Sequence, residues 1–406
     1  MDSLITAATL ALTAGDPLGA LNRVALRNDA PALALRGIAM AQLGDLDRAR
    51  VLVRSAAGAF GPKAVMARAR CILAEAEIAL VSRDLGWSGK ALETAQAVLE
   101  AQGDRINAAH AQYLKIRHLL LIGRLDEAEH RIAVFDPTPL PPASQASFEL
   151  VVAGIRLRRI QTKTAREALA RARQAAHRAG IPALEAEIDQ VAEVLRRPAA
   201  RCIAGGHERL LLLDEVERLL ASNALIVEEC RQVVRSAGKF ISLGNRPVLF
   251  ALIRALAETW PAEVPRESLI TRAFRTRHID ETHRARLRVE MSRLRTALSP
   301  VASVTATRQG FMLEPLEAAD VAVLTQPVDG KHASVLALLA DGESWSSSAL
   351  ALALGVSQRT VQRALDELAE TGKIQSVGRG RARRWMSPAI PGFPTTLLLP
   401  APLPTG

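Results

Sequence analysis

The fold is decided by the stretch Leu354-Gly355-Val356-Ser357-Gln358-Arg359-Thr360-Val361. It places a glycine, which accepts a positive φ, shortly before a serine that can cap a helix. Helical periodicity continues to Thr371, and it places Val361, Ala364, Leu365 and Leu368 on one face. Ser346-Ser347-Ser348 can cap an earlier helix over residues 349–354. The stretch therefore predicts two helices that are joined by a tight turn.

The segments on either side of this pair complete a small domain over residues 331–386. A helix is expected over 332–339, and Gly372-Lys373 ends the second helix of the pair. A strand over 374–377, the turn Gly378-Arg379-Gly380 and a strand over 381–385 then predict a β-hairpin.

Polar and basic side chains mark the surfaces of this domain that could bind a ligand. The first turns of the second helix carry Ser357, Gln358, Arg359, Gln362 and Arg363, and the hairpin carries Arg379, Arg381, Arg383 and Arg384. A helix that reads DNA presents such groups at its N-terminal end, because that end enters the major groove. Glycine lets a hairpin backbone approach a phosphate, and arginine neutralises charge there.

This segment resembles the winged helix-turn-helix domains of bacterial repressors of the DeoR, GntR and MarR kinds. The matching parts are the run from Leu354 to Val361 and the Gly-Arg-Gly-Arg hairpin. The resemblance implies that the second helix reads bases and that the hairpin, or wing, holds the DNA backbone. The alternative is a winged helix that contacts only protein.

A second domain of similar kind is expected over residues 213–313. Two short strands, over 225–227 and 232–234, precede helices that start near Pro247 and Pro265. A long helix over 281–298 places Leu287, Met291, Leu294 and Leu298 on one buried face. Residues 304–313 then form a hairpin with glycine at the turn.

This second stretch resembles the DNA-binding domain of OmpR-type response regulators. Arg288-Val289-Glu290-Met291-Ser292-Arg293-Leu294-Arg295 is similar to the recognition helix of that family, and Arg308-Gln309-Gly310-Phe311 is similar to its wing. The resemblance implies DNA contacts by the side chains of Arg284, Arg288, Glu290, Arg293 and Arg308. No receiver domain precedes the stretch, so control by aspartyl phosphorylation is not expected.

The positive charge of the chain lies in these two domains. Residues 266–312 hold ten Arg against four acidic residues, and 357–386 hold six Arg and one Lys against three, which gives +6 and +4. Together they equal the net charge of +10 of the whole chain. Such concentration is typical of nucleic-acid contact, although a solvated basic face is the alternative.

The first half, residues 1–200, is predicted to be a TPR-like array of helical hairpins. Ala20, Ala49, Ala91, Ala128 and Ala168 align with spacings of 29, 42, 37 and 40, against about 34 in tetratricopeptide repeats. An irregular helical bundle is the alternative. Such an array could hold a peptide, a small molecule or another protein, including a second copy of this chain in a homodimer.

Several classes of protein are not expected. Cys71, Cys202 and Cys230 are too far apart for a disulfide framework or a CxxC metal site. No P-loop, HExxH or GxSxG motif is present, so neither an enzyme nor a metal or cofactor site is expected. The sequence has no apolar run of membrane-spanning length and no basic signal region, which predicts a cytoplasmic protein without a membrane partner.

The combined prediction is a mainly α protein in which a TPR-like array is followed by two small α+β winged-helix domains and a Pro-rich tail over 387–406. It predicts a transcription regulator that binds double-stranded DNA, with a TPR-type scaffold as the alternative. Residues 314–330 are expected to link the two winged helices and to span roughly 55 Å when extended. Because successive major-groove faces are about 34 Å apart, we expect one composite DNA site.

Overall fold

The computed structural model describes residues 2–82, 89–276, 278–327, 332–339, 345–354, 356–377 and 383–386. Within them the chain is mainly helical, which confirms the predicted fold class. The Pro-rich tail, Arg379 and Arg381 lie outside the described residues.

The N-terminal half is a succession of helices, most of them joined by short turns. They are α1 (Ser3–Thr13), α2 (Pro17–Val24), α3 (Ala30–Gln42), α4 (Leu46–Ala59), α5 (Val65–Val81), α6 (Gly89–Ala101), α7 (Arg105–Leu121), α8 (Leu125–Ala133), α9 (Pro142–Arg158), α10 (Thr162–Ala179) and α11 (Pro182–Ala192). Each helix packs against the next one in the chain from α1 to α11, and α7 also packs against α5 and α9. We refer to residues 3–195 as the helical array.

Gly-Asp pairs form three of the turns in the helical array: Gly15-Asp16, Gly44-Asp45 and Gly103-Asp104. The glycines have φ of 77°, 87° and 74°, the left-handed region that ends a helix. Each aspartate then accepts a hydrogen bond, at 2.8 to 3.2 Å, from the backbone N–H three residues further on. One dipeptide thus ends a helix and caps the next one.

The alanines aligned from the sequence are buried in four of the five repeats. Ala20, Ala49, Ala128 and Ala168 have no exposed surface, so the helices approach closely there. Ala91 is exposed, and the neighbouring Leu92 is buried in its place. The expectation that all five aligned alanines lie at buried helix contacts is therefore wrong for Ala91.

The middle region combines two sheets with four helices. Its strands are β1 (Ala200–Ala204), β2 (His207–Leu211), β3 (Leu225–Glu228), β4 (Val233–Ser236), β5 (Lys239–Ser242), β6 (Val264–Pro265), β7 (Ala302–Ala306), β8 (Gly310–Pro315) and β9 (Val321–Thr325). Its helices are α12 (Leu213–Leu220), α13 (Pro247–Thr259), α14 (Arg266–Phe274) and α15 (Glu281–Leu298). The larger sheet has the order β2-β1-β9-β3-β4-β5, and the smaller one has the order β6-β8-β7.

Strand β9 lies in the interior of the larger sheet. It runs parallel to β3, with Val321 opposite Leu225, and antiparallel to β1, with Leu324 opposite Cys202. Val321 and Val323 pack into the core that contains α13, whereas Ala322 and Leu324 pack on the α12 side. A strand covered on both faces is apolar at successive positions, and every residue of β9 is buried.

Two sequence expectations change because of β9. Residues 314–330 do not form a free linker, since 321–325 belong to the sheet, and the bounds 213–313 omit β1, β2 and β9. Gly205-Gly206 forms the turn between β1 and β2. Residues 326–332 alone separate β9 from the next helix, and seven residues extend to about 23 Å rather than 55 Å.

The C-terminal region follows the predicted order of elements. It contains α16 (Ala333–Leu339), α17 (Ser347–Leu354), α18 (Gln358–Glu370), β10 (Gln375–Val377) and β11 (Arg384–Met386). Strands β10 and β11 pair in antiparallel register, and Trp345 forms a further bridge to Trp385. Met386 is buried in the core of the helical array, so β11 contacts that array as well as its own domain.

Candidate nucleic-acid interface

Two serines fix the helix pair at the start of the candidate site. The Ser346 hydroxyl accepts a hydrogen bond from the Ala349 backbone N–H at 3.1 Å, and the Ser357 hydroxyl accepts one from the Thr360 N–H at 3.1 Å. These are N-cap contacts of α17 and α18. They confirm the predicted start of α18, whereas α17 begins at Ser347, two residues before the predicted start.

Helix α18 buries one face and exposes the other. Val361, Ala364, Leu365 and Leu368 join Trp385 in the core of the C-terminal domain, as the sequence predicts. Arg359 and Arg363 lie on the opposite face, both exposed. Among the described residues neither guanidinium has a hydrogen-bond or ion-pair partner, so both can bind an external acceptor.

The two glutamines of this face already have partners within the chain. The Gln358 side-chain amide donates to the Ser347 hydroxyl at 3.1 Å, and the Gln362 amide donates to the Asp366 carboxylate at 2.9 Å. Either amide would have to exchange that hydrogen bond for a new one in order to contact a base. Of these four predicted contact residues, only Arg359 and Arg363 have no side-chain hydrogen bond within the described part of the chain that would have to be exchanged.

Charge is distributed unevenly along α18. Arg359 and Arg363 lie in its N-terminal half, whereas Asp366, Glu367 and Glu370 lie in its C-terminal half. The N-terminal end of a helix also carries the positive pole of the helix dipole. A polyanion is therefore attracted to the first two turns of α18 and repelled from the last two.

The strand that closes the domain adds two more arginines. Arg383 and Arg384 are exposed, and the Arg383 guanidinium lies 4.1 Å from the centroid of the buried Trp385 ring. The Arg384 guanidinium donates to the Arg383 carbonyl oxygen at 3.2 Å. The other two predicted wing residues, Arg379 and Arg381, lie outside the described residues.

Helix α15 of the middle region has the predicted buried face of Leu287, Met291, Leu294 and Leu298. Arg284 and Arg288 are exposed and lie 2.9 Å and 4.0 Å from carboxylate oxygens of Glu281, an exposed residue. Such exposed pairs are weak, so both arginines remain available to a phosphate.

Glu290 differs from the other predicted contacts on α15. Its side chain is 13% exposed and forms an ion pair with Arg293 at 2.8 Å. Both residues line a cavity beside the start of α13, together with Arg246 and Val248. The structure thus directs Glu290 towards α13 rather than to the outer face, where the sequence places it. Arg293 remains 64% exposed beside it.

Arg308 lies exposed in the turn between β7 and β8, and no described residue forms a hydrogen bond or ion pair with its side chain. This turn is stabilised by Arg266, a residue to which the sequence assigned no role. The Arg266 guanidinium donates to the carbonyl oxygens of Arg308 and Thr307, both at 2.9 Å. Arg295 likewise donates to the Val304 carbonyl at 2.6 Å. Some of the ten arginines in this region thus stabilise the hairpin itself.

The described part of the chain contains no group of three or more His, Cys, Asp or Glu side chains placed to bind a metal ion. No helix within those ranges is long and apolar enough to cross a bilayer.

Comparison with known proteins agrees with the C-terminal geometry. Residues 332–391 match the family described as winged helix-turn-helix. The chain matches no curated protein and no solved structure. Residues 332–391 therefore carry a winged helix-turn-helix domain, the kind of domain that points to nucleic-acid binding.

Proposed function

We propose that this protein is a sequence-specific transcription regulator that binds double-stranded DNA through α18 and its hairpin. The observation that carries the proposal is the exposed, unpartnered pair Arg359 and Arg363 on the first two turns of a winged helix-turn-helix. Arginine is the residue that most often reads guanine, because its guanidinium donates two parallel hydrogen bonds to the O6 and N7 atoms.

The middle region would supply a second DNA contact. Residues 225–315 place strands first, then three helices and a hairpin, which supports the resemblance to OmpR-type domains noted from the sequence. In this proposal Arg284, Arg288 and Arg293 contact the groove or the phosphates, and Arg308 contacts the backbone. A departure from that family is the sheet, which β1, β2 and β9 extend to six strands.

The helical array would act as the sensing or assembly part of the regulator. Stacked helical hairpins form extended surfaces that suit a peptide, a small molecule or a second subunit. The contact of Met386 with the core of the array supports this role, since it gives the array a direct connection to the hairpin of the DNA reader.

The proposal is tested by selecting binding sites from a random duplex pool with the full chain. On the selected site, Arg363→Ala is expected to cost ~1–3 kcal/mol and to relax preference at one base position, because a bidentate base contact is lost. Arg384→Ala should instead weaken binding to all duplexes alike and lower the slope of log K against log salt by about one.

Arg171→Ala is the matched control, because Arg171 lies on α10 in the helical array and pairs with Glu149 at 2.9 Å. Its DNA affinity should equal that of the wild type. Failure to enrich any sequence from the pool, or an Arg363→Ala variant that binds the selected site normally, would contradict sequence-specific binding through α18.

A further inference from the structure

A cavity of about 700 Å³ lies between the two predicted DNA-binding domains. Its walls come from α13, the end of α14 and the turn that precedes α18. This volume falls within the roughly 300–1,000 Å³ of typical small-molecule sites, which often occur at domain interfaces. A molecule bound there would touch both domains at once.

Both domains contribute apolar surface to this interface cavity. Val248, Phe250 and Ala255 come from α13, and Leu354 and Val356 come from the helix-turn-helix. Val356 is 44% exposed, so its side chain is accessible to a ligand. An apolar ligand group would bury the Val356 side chain and gain the free energy of that burial.

Four of the charged groups in the cavity neutralise one another. Arg254 forms ion pairs with Glu229 and with Glu258, the latter at 2.7 Å, and Glu258 also pairs with Arg272 at 2.8 Å. This network holds two positive and two negative charges. The network stabilises one wall of the cavity, and its net charge is zero.

Two other polar residues of the cavity lack partners. Arg275 is exposed and has no ion-pair or hydrogen-bond partner among the described residues, so it gives the cavity a net positive charge. Gln232 has a buried side-chain oxygen, Oε1, without a hydrogen bond from any described residue. An unsatisfied buried acceptor is unfavourable, and a ligand donor would satisfy it.

The backbone at these two residues is also unusual. Gln232 has φ of 50° and Arg275 has φ of 53°, the left-handed region that side chains other than glycine rarely adopt. Residues held in this conformation concentrate at binding and switch sites, where packing maintains the strain. Both residues line the same cavity.

We propose that the interface cavity binds a small 2-amino or 2-hydroxy acid with an apolar side chain. The carboxylate would pair with Arg275, the donor on the adjacent carbon would reach Gln232 Oε1, and the apolar group would lie between α13 and Val356. The acid is expected to bind whether or not DNA is present. The further idea that the bound acid fixes α18 relative to α15, and so acts as an effector, rests on the proposed function.

The test is calorimetric titration of the full chain, without DNA, by L-leucine, L-phenylalanine and 2-hydroxy-4-methylpentanoate. The corresponding amides L-leucinamide and L-phenylalaninamide lack the carboxylate. We expect at least one acid to bind with a dissociation constant below about 10 mM and its amide to bind about tenfold more weakly or not at all, since the amide cannot form the charged hydrogen bond to Arg275.

Two variants locate the site, and one serves as a control. Arg275→Gln should weaken binding of the acid about tenfold, and Val356→Trp should abolish it by filling the cavity. Arg218→Gln, an exposed arginine on α12, should bind like the wild type. If none of the acids binds the wild type, or if Arg275→Gln leaves binding unchanged, the proposed site is wrong. DNA affinity is measured separately, so failure of the effector site and failure of DNA binding remain distinguishable.

Discussion

The role of an arginine in this protein depends on whether its guanidinium already has a partner. Arg266 and Arg295 donate to backbone carbonyl oxygens of the β7–β8 hairpin, so their charge stabilises the fold. Arg308, Arg359 and Arg363 are exposed and have no such partner within the described residues. Residue type and position in the sequence do not separate these two groups, because the partners are distant carbonyl oxygens.

Glu187 makes the stability of the helical array dependent on pH. Burial raises the pKa of Glu187 to about 8, against the opposing effect of Arg117, and its Oε1 atom has no hydrogen bond. The folded state therefore binds a proton that the unfolded chain, with a glutamate pKa near 4.3, has lost. Stability should fall as pH rises from about 5 to about 8, because the carboxyl must ionise while buried.

Glu187→Gln removes this titration and should flatten the decline in urea midpoint between pH 6 and pH 8. The matched control is Glu167→Gln, an exposed glutamate on α10, which should keep the wild-type pH profile. An unchanged profile in Glu187→Gln would assign the pH dependence to other groups.

Close packing of α3 on α4 requires the absence of a side chain at Gly37. A Cβ there would lie 2.6 Å from Val53 Cγ2 and 3.1 Å from the Ala49 carbonyl oxygen. Overpacking costs ~1–3 kcal/mol, more than the roughly 1 kcal/mol that alanine gains in helix propensity. Gly37→Ala should therefore lower the free energy of unfolding, measured by urea denaturation.

Gly58→Ala is the matched control, because Gly58 lies in α4 with no atom within 4 Å of its Cβ position. Only the propensity difference applies there, so this variant should be stabilised by about 0.5–1 kcal/mol. A Gly37→Ala variant as stable as Gly58→Ala would show that α3 and α4 can move apart at little cost.

Strand β9 lies between β1 and β3, so it joins the two halves of the larger sheet into one unit. Without residues 321–325, β3 loses one of its two neighbour strands, and β1 loses its connection to the rest of the sheet. We expect a fragment over 200–327 to unfold in one cooperative urea transition. A fragment over 213–313, which lacks β9, should show poor dispersion of its amide signals by NMR. Equal urea midpoints for the two fragments would show that β9 is dispensable.

The short connection between β9 and α16 limits how far apart the middle region and the C-terminal domain can lie. Seven residues extend to about 23 Å, less than the roughly 34 Å between successive major-groove faces. The two predicted DNA-binding domains must therefore be adjacent. If one of them is bound to DNA, the effective concentration of the other at the neighbouring site would be near the millimolar range. We expect one composite DNA site for the full chain.

Footprints of two double variants test this composite site. Arg284→Ala with Arg288→Ala should shorten protection at one end, and Arg359→Ala with Arg363→Ala should shorten it at the other. The double variant Arg166→Ala with Arg171→Ala, on α10 of the helical array, should protect the full length. A footprint that loses the same end in both test variants would mean that the two domains do not bind side by side.

The sequence by itself determined the elements whose signals are local. Periodic apolar positions, capping residues such as Ser357 and turn glycines such as Gly15 act within a few residues of themselves, so α15, α18 and most of the helical array could be predicted from them. The same signals predicted the outer face of α18. The resemblance of residues 331–386 to winged helix-turn-helix domains followed from these local features.

Only the tertiary structure decided the features that join distant residues. Strand β9 pairs with strands about 100 residues earlier in the chain, and no local signal distinguishes its apolar run from a packed linker. Three other features likewise need contacts between separate elements. They are the orientation of Glu290 towards α13, the hydrogen bonds from Arg266 to the hairpin turn and the cavity beside Arg275. Such contacts are specified by packing of the whole chain, because the free energy of each depends on which surfaces the others have already buried.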